Sequence, residues 1–212
     1  MKLNTYIDHT LLKATATPSE IKKLCSEAKE YNFFAVCVNG CYVKLAKQEI
    51  ANSEVKVAAV IGFPLGAMST EAKVSETEIC IKNGADEIDM VINIGMFQSG
   101  NNDYVEDEIF AIKKACGNKV LKVIIETCYL SEEEKRTACK LAMNAGADFV
   151  KTSTGFGTGG ATLEDIKLMK EVVVDTLKIK ASGGIRDKET AKEYIALGIS
   201  RIGTSSGIEI VS

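Results

Sequence analysis

Two lysines stand where a water-soluble chain rarely keeps them. Lys151 lies in Asp148-Phe149-Val150-Lys151-Thr152-Ser153-Thr154-Gly155, a short apolar run that ends in a turn of small residues. Lys180 lies in Leu177-Lys178-Ile179-Lys180-Ala181-Ser182-Gly183-Gly184, a segment of the same design. Both segments read as buried strands that empty into loops. Burial disfavours the charged form of a lysine. Two ammonium groups on neighbouring strand ends also repel, so one of them gives up its proton. A neutral amine attacks carbonyl carbon, and the pair therefore points to Schiff-base chemistry. A plainer reading of Lys151 is a strand-end lysine whose ammonium reaches solvent along its aliphatic stem. For Lys180 the plainer reading is the polar face of an edge strand, because Lys178 and Lys180 alternate with Leu177 and Ile179.

A carboxylate is needed beside such a pair. Asp89, within Asp86-Glu87-Ile88-Asp89-Met90-Val91-Ile92, is either a buried counterion or a proton carrier. The two roles are compatible, since a carboxylate–ammonium pair passes protons through a bound water. Lys122 is a further inward candidate, balancing the charge of Asp89 or Glu126. Asp8, next to His9 and Thr10, either closes the same hydrogen-bond network or is structural. Two glycine-rich segments follow late in the chain, Ser182-Gly183-Gly184-Ile185 and Gly203-Thr204-Ser205-Ser206-Gly207. Exposed backbone N–H groups at such turns attract anions. Gly183, Gly184, Ser205 and Ser206 are thus candidate phosphate contacts, with Thr154 and Gly155 beside them. The run Gly157-Thr158-Gly159-Gly160 either adds to that pocket or is a flexible connector.

The elements that must carry these residues alternate from end to end. Candidate strands are Tyr6–Leu12, Phe34–Val38, Lys56–Ile61, Glu87–Ile92, Val120–Glu126, Phe149–Thr152, Ile179–Ser182 and Arg201–Gly203. Helix starts lie between them. Thr17-Pro18-Ser19-Glu20 and Ser131-Glu132-Glu133-Glu134 are capping boxes, and Thr162-Leu163-Glu164-Asp165 is a weaker one. Eight strand–helix units of about 26 residues in a chain of 212 fit one α/β domain over residues 1–212, a (β/α)8 TIM barrel. The alternative, an open doubly wound sheet, more often carries an early glycine fingerprint, and none is present. A weak repeat supports the barrel. Asn83-Gly84-Ala85-Asp86, Ala145-Gly146-Ala147-Asp148 and Leu197-Gly198-Ile199-Ser200 each stop a helix before an even-numbered strand, and Asn32 takes the glycine's place before strand two. Five residues beyond each stop lie Cys37, Asp89, Lys151 and Gly203. Alternate strands contribute one interior layer in this fold. These four are expected to share a layer near the C-terminal mouth, with Gly203 leaving room for a ligand.

Composition bounds the function. The net charge is −3 and no basic surface for nucleic acid is implied. Apolar runs fall short of a membrane span. Met1-Lys2-Leu3-Asn4 leads straight into a strand-like segment, without a signal peptide. Seven scattered cysteines with no CxxC read as free thiols in a reducing cytoplasm rather than a disulfide framework. His9 is the single histidine, so a metal site is poorly supplied.

At Asp8-His9-Thr10-Leu11-Leu12-Lys13, Gly84–Val91, Lys122–Thr127, Phe149–Gly155, Lys180–Arg186 and Gly203–Ser206, nearly the whole length, the chain resembles the deoxyribose-phosphate aldolase family of class I aldolases. The resemblance implies a (β/α)8 barrel and reversible cleavage of 2-deoxy-D-ribose 5-phosphate into D-glyceraldehyde 3-phosphate and acetaldehyde. It implies no cofactor beyond the covalent lysine, and a homo-oligomer, with a dimer expected. Lys151 matches the Schiff-base lysine, and Asp89 and Lys180 match the proton-transfer pair. The chain departs from the pattern at two places. Phe156 stands where some members carry a lysine that assists the phosphate. Some longer members end in a tyrosine that reaches the substrate, whereas this chain ends Ile210-Val211-Ser212. Two other readings stay open: a phosphosugar isomerase or epimerase, which needs paired carboxylates, histidine or metal, and a non-catalytic barrel that binds phosphometabolites.

Overall fold

The same local device starts and stops the helices at equivalent places, and it sets the register of everything between them. The structure, a computed structural model, describes residues 2–212. Helix α1 (Pro18–Glu30) opens on Thr17, whose side chain accepts from the Glu20 N–H while Glu20 bonds back to the Thr17 N–H. Ser131 does the same for α6 (Glu132–Asn144). Thr162 accepts from Asp165 N–H and caps α7 (Leu163–Val173) from one side only. Asn32, Gly84, Gly146 and Gly198 adopt positive φ (53°, 106°, 75° and 90°) two residues beyond α1, α3 (Thr70–Lys82), α6 and α8 (Lys188–Ala196). The next residue donates back into three of these helices: Phe33 to Ala28, Ala85 to Cys80 and Ala147 to Ala142. The remaining helices are α2 (Val43–Glu49), α4 (Ile94–Gln98), α5 (Asn102–Cys116) and α9 (Gly207–Val211).

Each stop delivers the chain into a strand. The strands are β1 (Ile7–Leu11), β2 (Ala35–Asn39), β3 (Lys56–Ile61), β4 (Glu87–Val91), β5 (Val120–Ile124), β6 (Phe149–Lys151), β7 (Lys178–Ser182) and β8 (Arg201–Thr204). They pair in parallel, in sequence order, and β8 closes on β1. The expected strands are all present, with ends moved by a residue or two. β5 stops at Ile124 because Glu126 turns into the left-handed region at φ 52°. The fourth residue of the repeat begins each ladder: Asp86 N–H donates to Val57, Asp148 N–H to Leu121 and Ser200 N–H to Ile179. The two aspartates also accept from the neighbouring strand. Asp86 Oδ2 takes the Val57 N–H at 3.0 Å and Lys47 at 2.8 Å. Asp148 Oδ2 takes the Leu121 N–H at 2.8 Å and Lys113.

The register puts Cys37, Asp89, Lys151 and Gly203 in equivalent positions. Cys37 pairs with Ala58, and two residues on, Val60 pairs with Asp89. Asp89 pairs with Lys122, and two on, Ile124 pairs with Lys151. Lys151 pairs with Lys180, and two on, Ser182 pairs with Gly203. Gly203 pairs with Asp8, and two on, Thr10 pairs with Cys37. Four steps of two residues close the circuit with the stagger of eight that an eight-stranded barrel of this kind requires. The main apolar core lies between strands and helices. Inside the barrel, Cys37, Ala58, Val60 and Leu12 form a small apolar cluster, and a group of charged side chains packs beside it with Phe149. Among the described residues no helix is long and apolar enough to cross a membrane.

Asp86 tests the ladder-start device. Asp86→Ala leaves the Val57 N–H and Lys47 without their acceptor and should cost about 1–2 kcal/mol, read as a lower Tm in a thermal melt. Burial pushes the Asp86 carboxyl up, but its bonds to Lys47 and Val57 outweigh that and hold it below the usual aspartate range. Its contribution is therefore complete above the unfolded-state pKa and fades as pH falls through the folded one. The Tm gap between wild type and variant should close in acid, and a gap that stays constant there would contradict the assignment.

Candidate active site

A carboxylate at the centre of the barrel gathers the lysines. Asp89 Oδ2 accepts from Lys151 Nζ at 2.8 Å and from Lys180 Nζ at 2.9 Å, while Asp89 Oδ1 accepts from Lys122 Nζ at 2.7 Å. Lys180 also donates to Asp8 Oδ2. All five side chains are buried. β4, β5, β6, β7 and β1 each place one, as the register dictates. Cys37 faces the same group from β2, and burial pushes its thiol up, so it stays a neutral S–H.

Burial acts on every member, and the neighbours decide which way each one moves. Desolvation holds the Lys151 ammonium below the usual lysine range. The Asp89 charge pulls the other way and Lys180 adds to the lowering. Desolvation, more than repulsion from Lys180, is thus what frees this amine. Lys180 moves up, because Asp8 and Asp89 together outweigh its burial. Lys122 moves up for the same reason, through Asp89 and Glu87 above all. Burial works against the carboxylates, yet Asp89 and Asp8 are both held well below the ordinary range by the cations around them.

The strand after Lys151 is short, and hydroxyls continue its pairing. Thr152 Oγ1 donates to Ser182 O and accepts from Ser182 N–H, both at 3.1 Å, and Ser182 Oγ donates to Ser153 O at 2.6 Å. Glu126, in its left-handed conformation, accepts from the Thr154 N–H at 3.1 Å and from the Thr154 hydroxyl. That contact ties the β6 loop to the end of β5. Thr154 lines the mouth but spends its hydroxyl on Glu126.

Above the lysines opens a cavity of about 250 Å³, walled by Thr10–Lys13, Thr154–Phe156, Ser182–Arg186 and Gly203–Ser205. Lys151 is the one member of the buried charged group that lines it. Gly155, Gly183, Gly184, Gly203 and Ser205 stand in the wall. Gly183 and Gly184 take φ of 85° and 82° in succession, a turn that side chains resist. Ser206 stands behind the wall, its N–H bonded to Thr204 Oγ1 at 2.9 Å. Gly160 packs against the Gly183 carbonyl and supports that turn from outside the cavity. A wider groove of about 450 Å³ between Gly40–Cys41 and α3 lies on the outer surface, away from the lysines.

Three expectations change. Lys122 balances Asp89 and Glu87, at 2.7 and 2.6 Å, and not Glu126. Gly203 makes room for Lys180 more than for a ligand, since a Cβ there would lie 3.1 Å from Lys180 Cε and 3.0 Å from Ser182 Cβ. Arg201 and Glu87, read from the sequence only as strand starts, reach into the charged group: Arg201 bonds Asp8 and Glu87, each at 2.6 Å. Lys13 and Arg186 also went unassigned. They are the cations of the cavity wall besides Lys151. Their signal was present in the two motifs that carry them, Asp8–Lys13 and Lys180–Arg186. Among the described residues no group of three His, Cys, Asp or Glu side chains is placed to hold a metal ion.

The profile described as DeoC/LacD family aldolase matches residues 2–211. The chain belongs to this family. A protein named deoxyribose-phosphate aldolase from Finegoldia magna is 58% identical over 211 residues, covering 100% of this chain and 99% of its own length. The structure of an aldolase, QR15, superposes with a TM-score of 0.95 at 45% identity, over 99% of this chain and 94% of that one. The deoxyribose phosphate aldolase of Aeropyrum pernix, described as a tetramer, superposes at 0.90 with 32% identity, over 99% and 89% of the two chains.

Gly203→Val should test what the glycine makes room for. If it makes room for Lys180, the aldolase loses kcat by about 10²-fold through misplacement of that lysine, with KM little changed and the fold intact by circular dichroism. A loss carried wholly by KM would return the space to the substrate.

Proposed function

We propose that this chain reversibly cleaves 2-deoxy-D-ribose 5-phosphate into D-glyceraldehyde 3-phosphate and acetaldehyde through a Schiff base on Lys151. The observation that carries the reading is that, of the three lysines inside the barrel, Lys151 alone opens into the cavity, and it alone is held below the usual lysine range while Lys180 and Lys122 move up. The relatives that bear the name of this activity cover the whole chain.

The chemistry follows from the charges. The neutral Lys151 amine attacks the aldehyde carbon of the open-chain sugar, and the carbonyl oxygen takes a proton to give a carbinolamine. Loss of water leaves an iminium. Its nitrogen accepts the electron pair of the carbon–carbon bond as the hydroxyl two carbons further on gives up its proton and becomes the new aldehyde. Glyceraldehyde 3-phosphate departs and an enamine remains. Protonation at its terminal carbon restores an iminium, and water releases acetaldehyde. The iminium is the electron sink, so the mechanism uses no cofactor.

Lys180 is a reluctant acid in the resting site, because two carboxylates hold its proton. In the enamine step the cost is small. A proton that leaves Lys180 for the enamine, directly or through one water, moves a positive charge from one side of Asp89 Oδ2 to the other. The two nitrogens lie 2.9 and 2.8 Å from that same oxygen. Asp89 thus keeps a cation throughout. General acid–base help of this kind is typically worth about 10²–10⁴-fold.

The remote phosphate would sit against Gly183, Gly184, Ser205 and Gly155, with Arg186 and Lys13 supplying charge. Phe156, next to Gly155 in the wall, lies edge-on to Phe63, ring centroids 5.3 Å apart, and makes that part of the rim apolar. The role that a lysine takes beside Gly155 in other members would fall here to Arg186.

Incubation with acetaldehyde and borohydride should ethylate Lys151, located by peptide mapping. Trapping should rise with pH around a midpoint below the ordinary lysine range, since only the neutral amine reacts. Lys151→Arg stays protonated and should abolish trapping and lower activity by roughly 10³-fold or more. Ethylation of Lys180, or of no lysine, would overturn the mechanism.

Arg186→Gln tests the phosphate end. A lost hydrogen bond to a charged group is worth about 1.5–3 kcal/mol, so KM for the phosphorylated sugar should rise about tenfold or more. The phosphate is remote from the broken bond, which leaves kcat and turnover of unphosphorylated deoxyribose nearly unchanged. Equal losses on both sugars would place Arg186 outside the phosphate site.

A further inference from the structure

The charges beneath the cavity form a closed circuit with one lysine left over. Arg201 Nη2 bonds Glu87 Oε1 at 2.6 Å, and Glu87 Oε2 lies 2.6 Å from Lys122 Nζ. Lys122 bonds Asp89 Oδ1 at 2.7 Å. Asp89 Oδ2 bonds Lys180 at 2.9 Å, Lys180 bonds Asp8, and Asp8 Oδ1 returns to Arg201 Nη1 at 2.6 Å. Three carboxylates and three cations alternate, each with two neighbours of opposite sign around the circuit, and Lys122 also lies 3.9 Å from Asp8 across it. Lys151 hangs outside the circuit on Asp89 alone.

We propose that Arg201 and Glu87 are positioning residues that close this circuit and so select Lys151, rather than Lys180 or Lys122, as the amine that gives up its proton. The inference rests on Lys151 being the nucleophile. With all seven groups charged the buried set carries one surplus positive charge, and a low-dielectric interior expels it as a proton. The proton leaves where the least attraction is lost, which is the lysine with a single counterion. Arg201 is the member that cannot deprotonate. It is also held in place, its guanidinium 3.2 Å from the Phe34 ring centroid and 5.7 Å from that of Phe149. Its short bonds take one oxygen of Asp8 and one of Glu87, with a longer bond of 3.3 Å to Glu87 Oε2. Asp8 Oδ2 is thereby left to Lys180, Lys122 holds the short contact to Glu87 Oε2, and Asp89 keeps one position for Lys151.

The groups facing Lys151 are few. Asp89 and Lys180 flank it from β4 and β7, and Cys37 faces it from β2 as a neutral thiol. Lys13 and Arg186 stand in the cavity wall, exposed to solvent. Removing either end of the Arg201–Glu87 pair therefore changes the charge beneath Lys151 without touching the wall of the cavity.

The test is a charge cycle read as the pH midpoint of acetaldehyde trapping on Lys151 in folded protein. Arg201→Met leaves three carboxylates for two lysines, and the circuit then claims the Lys151 proton. Its midpoint should rise by about one pH unit or more. Glu87→Gln removes a negative charge and should move the midpoint down by a similar amount. The double variant cancels the two changes and should return close to the wild-type midpoint, although it has lost every hydrogen bond of the pair. Arg201→Lys keeps the charge and should hold the midpoint even where activity falls. If Arg201→Met fails to fold, Glu87→Gln, Arg201→Lys and the double variant still decide. A merely structural pair would lower activity additively with no opposed shifts, and single variants that both move the midpoint the same way, or not at all, overturn the proposal. Failure of the Schiff-base reading is separate, since wild-type protein would then show no trapping on Lys151.

Discussion

Asp89 accepts from three lysine nitrogens within 2.9 Å, and its side chain is fully buried. Each ion of such a group loses its hydration on burial, at a cost of several kcal/mol. Attraction offsets this only where opposite charges alternate and every oxygen finds a donor. Asp89 alone cannot satisfy three cations. Asp8 and Glu87 take up the far sides of Lys180 and Lys122, and Arg201 bridges those two carboxylates. What stays unsatisfied is the second side of Lys151, and that is the side that opens into the cavity. Lys151 is in this sense the one incomplete member of an otherwise complete set.

Only a closed barrel brings these residues together. Asp8 and Arg201 are 193 positions apart, yet they sit on adjacent strands because β8 pairs with β1. The stagger lets residues of β4 and β6 meet at one level although β5 lies between them. The helix stops at Asn32, Gly84, Gly146 and Gly198 fix where each even strand begins. An insertion between stop and strand would turn the inward residues outward. The loops that wall the cavity are free of that constraint. The β6, β7 and β8 loops build most of the wall from glycine turns and hydroxyl bonds, the end of β1 adds Thr10–Lys13, and Glu126 ties the β6 loop to β5.

Much of this was legible in the sequence, for identifiable reasons. Lys151, Asp89, Cys37 and Gly203 fell into one layer by counting from the helix stops, because the repeat carries the register. Lys180 stood out as a lysine in a strand with no exposed edge. Arg201 and Glu87 did not stand out, since a charged residue at the first position of a strand usually faces solvent at the base of a barrel. Their long side chains reach inward to partners 114 residues apart in the chain, and single-sequence patterns carry no trace of such a pairing. Lys122 was read as an inward lysine balancing Asp89 or Glu126, and Asp89 is the one it meets. Glu126 leaves the strand geometry at its left-handed turn and aims its carboxylate at Thr154 instead. Gly203 was recognised as space, and only the packing shows that Lys180 fills it.

On this reading the buried set has shed one surplus proton, and Lys151 is the group that shed it. Side-chain NMR of protein carrying labelled lysines, titrated without substrate, reads this directly. Of the lysines inside the barrel only Lys151 should titrate below the ordinary lysine range, and its signal should vanish in Lys151→Arg while the Lys180 and Lys122 signals stay protonated throughout; Lys73, paired with Glu108 on the helix side and also held low by burial, is a separate signal that Lys151→Arg leaves in place. A titration that removes the low-pKa signal in Lys180→Arg but keeps it in Lys151→Arg would contradict the account.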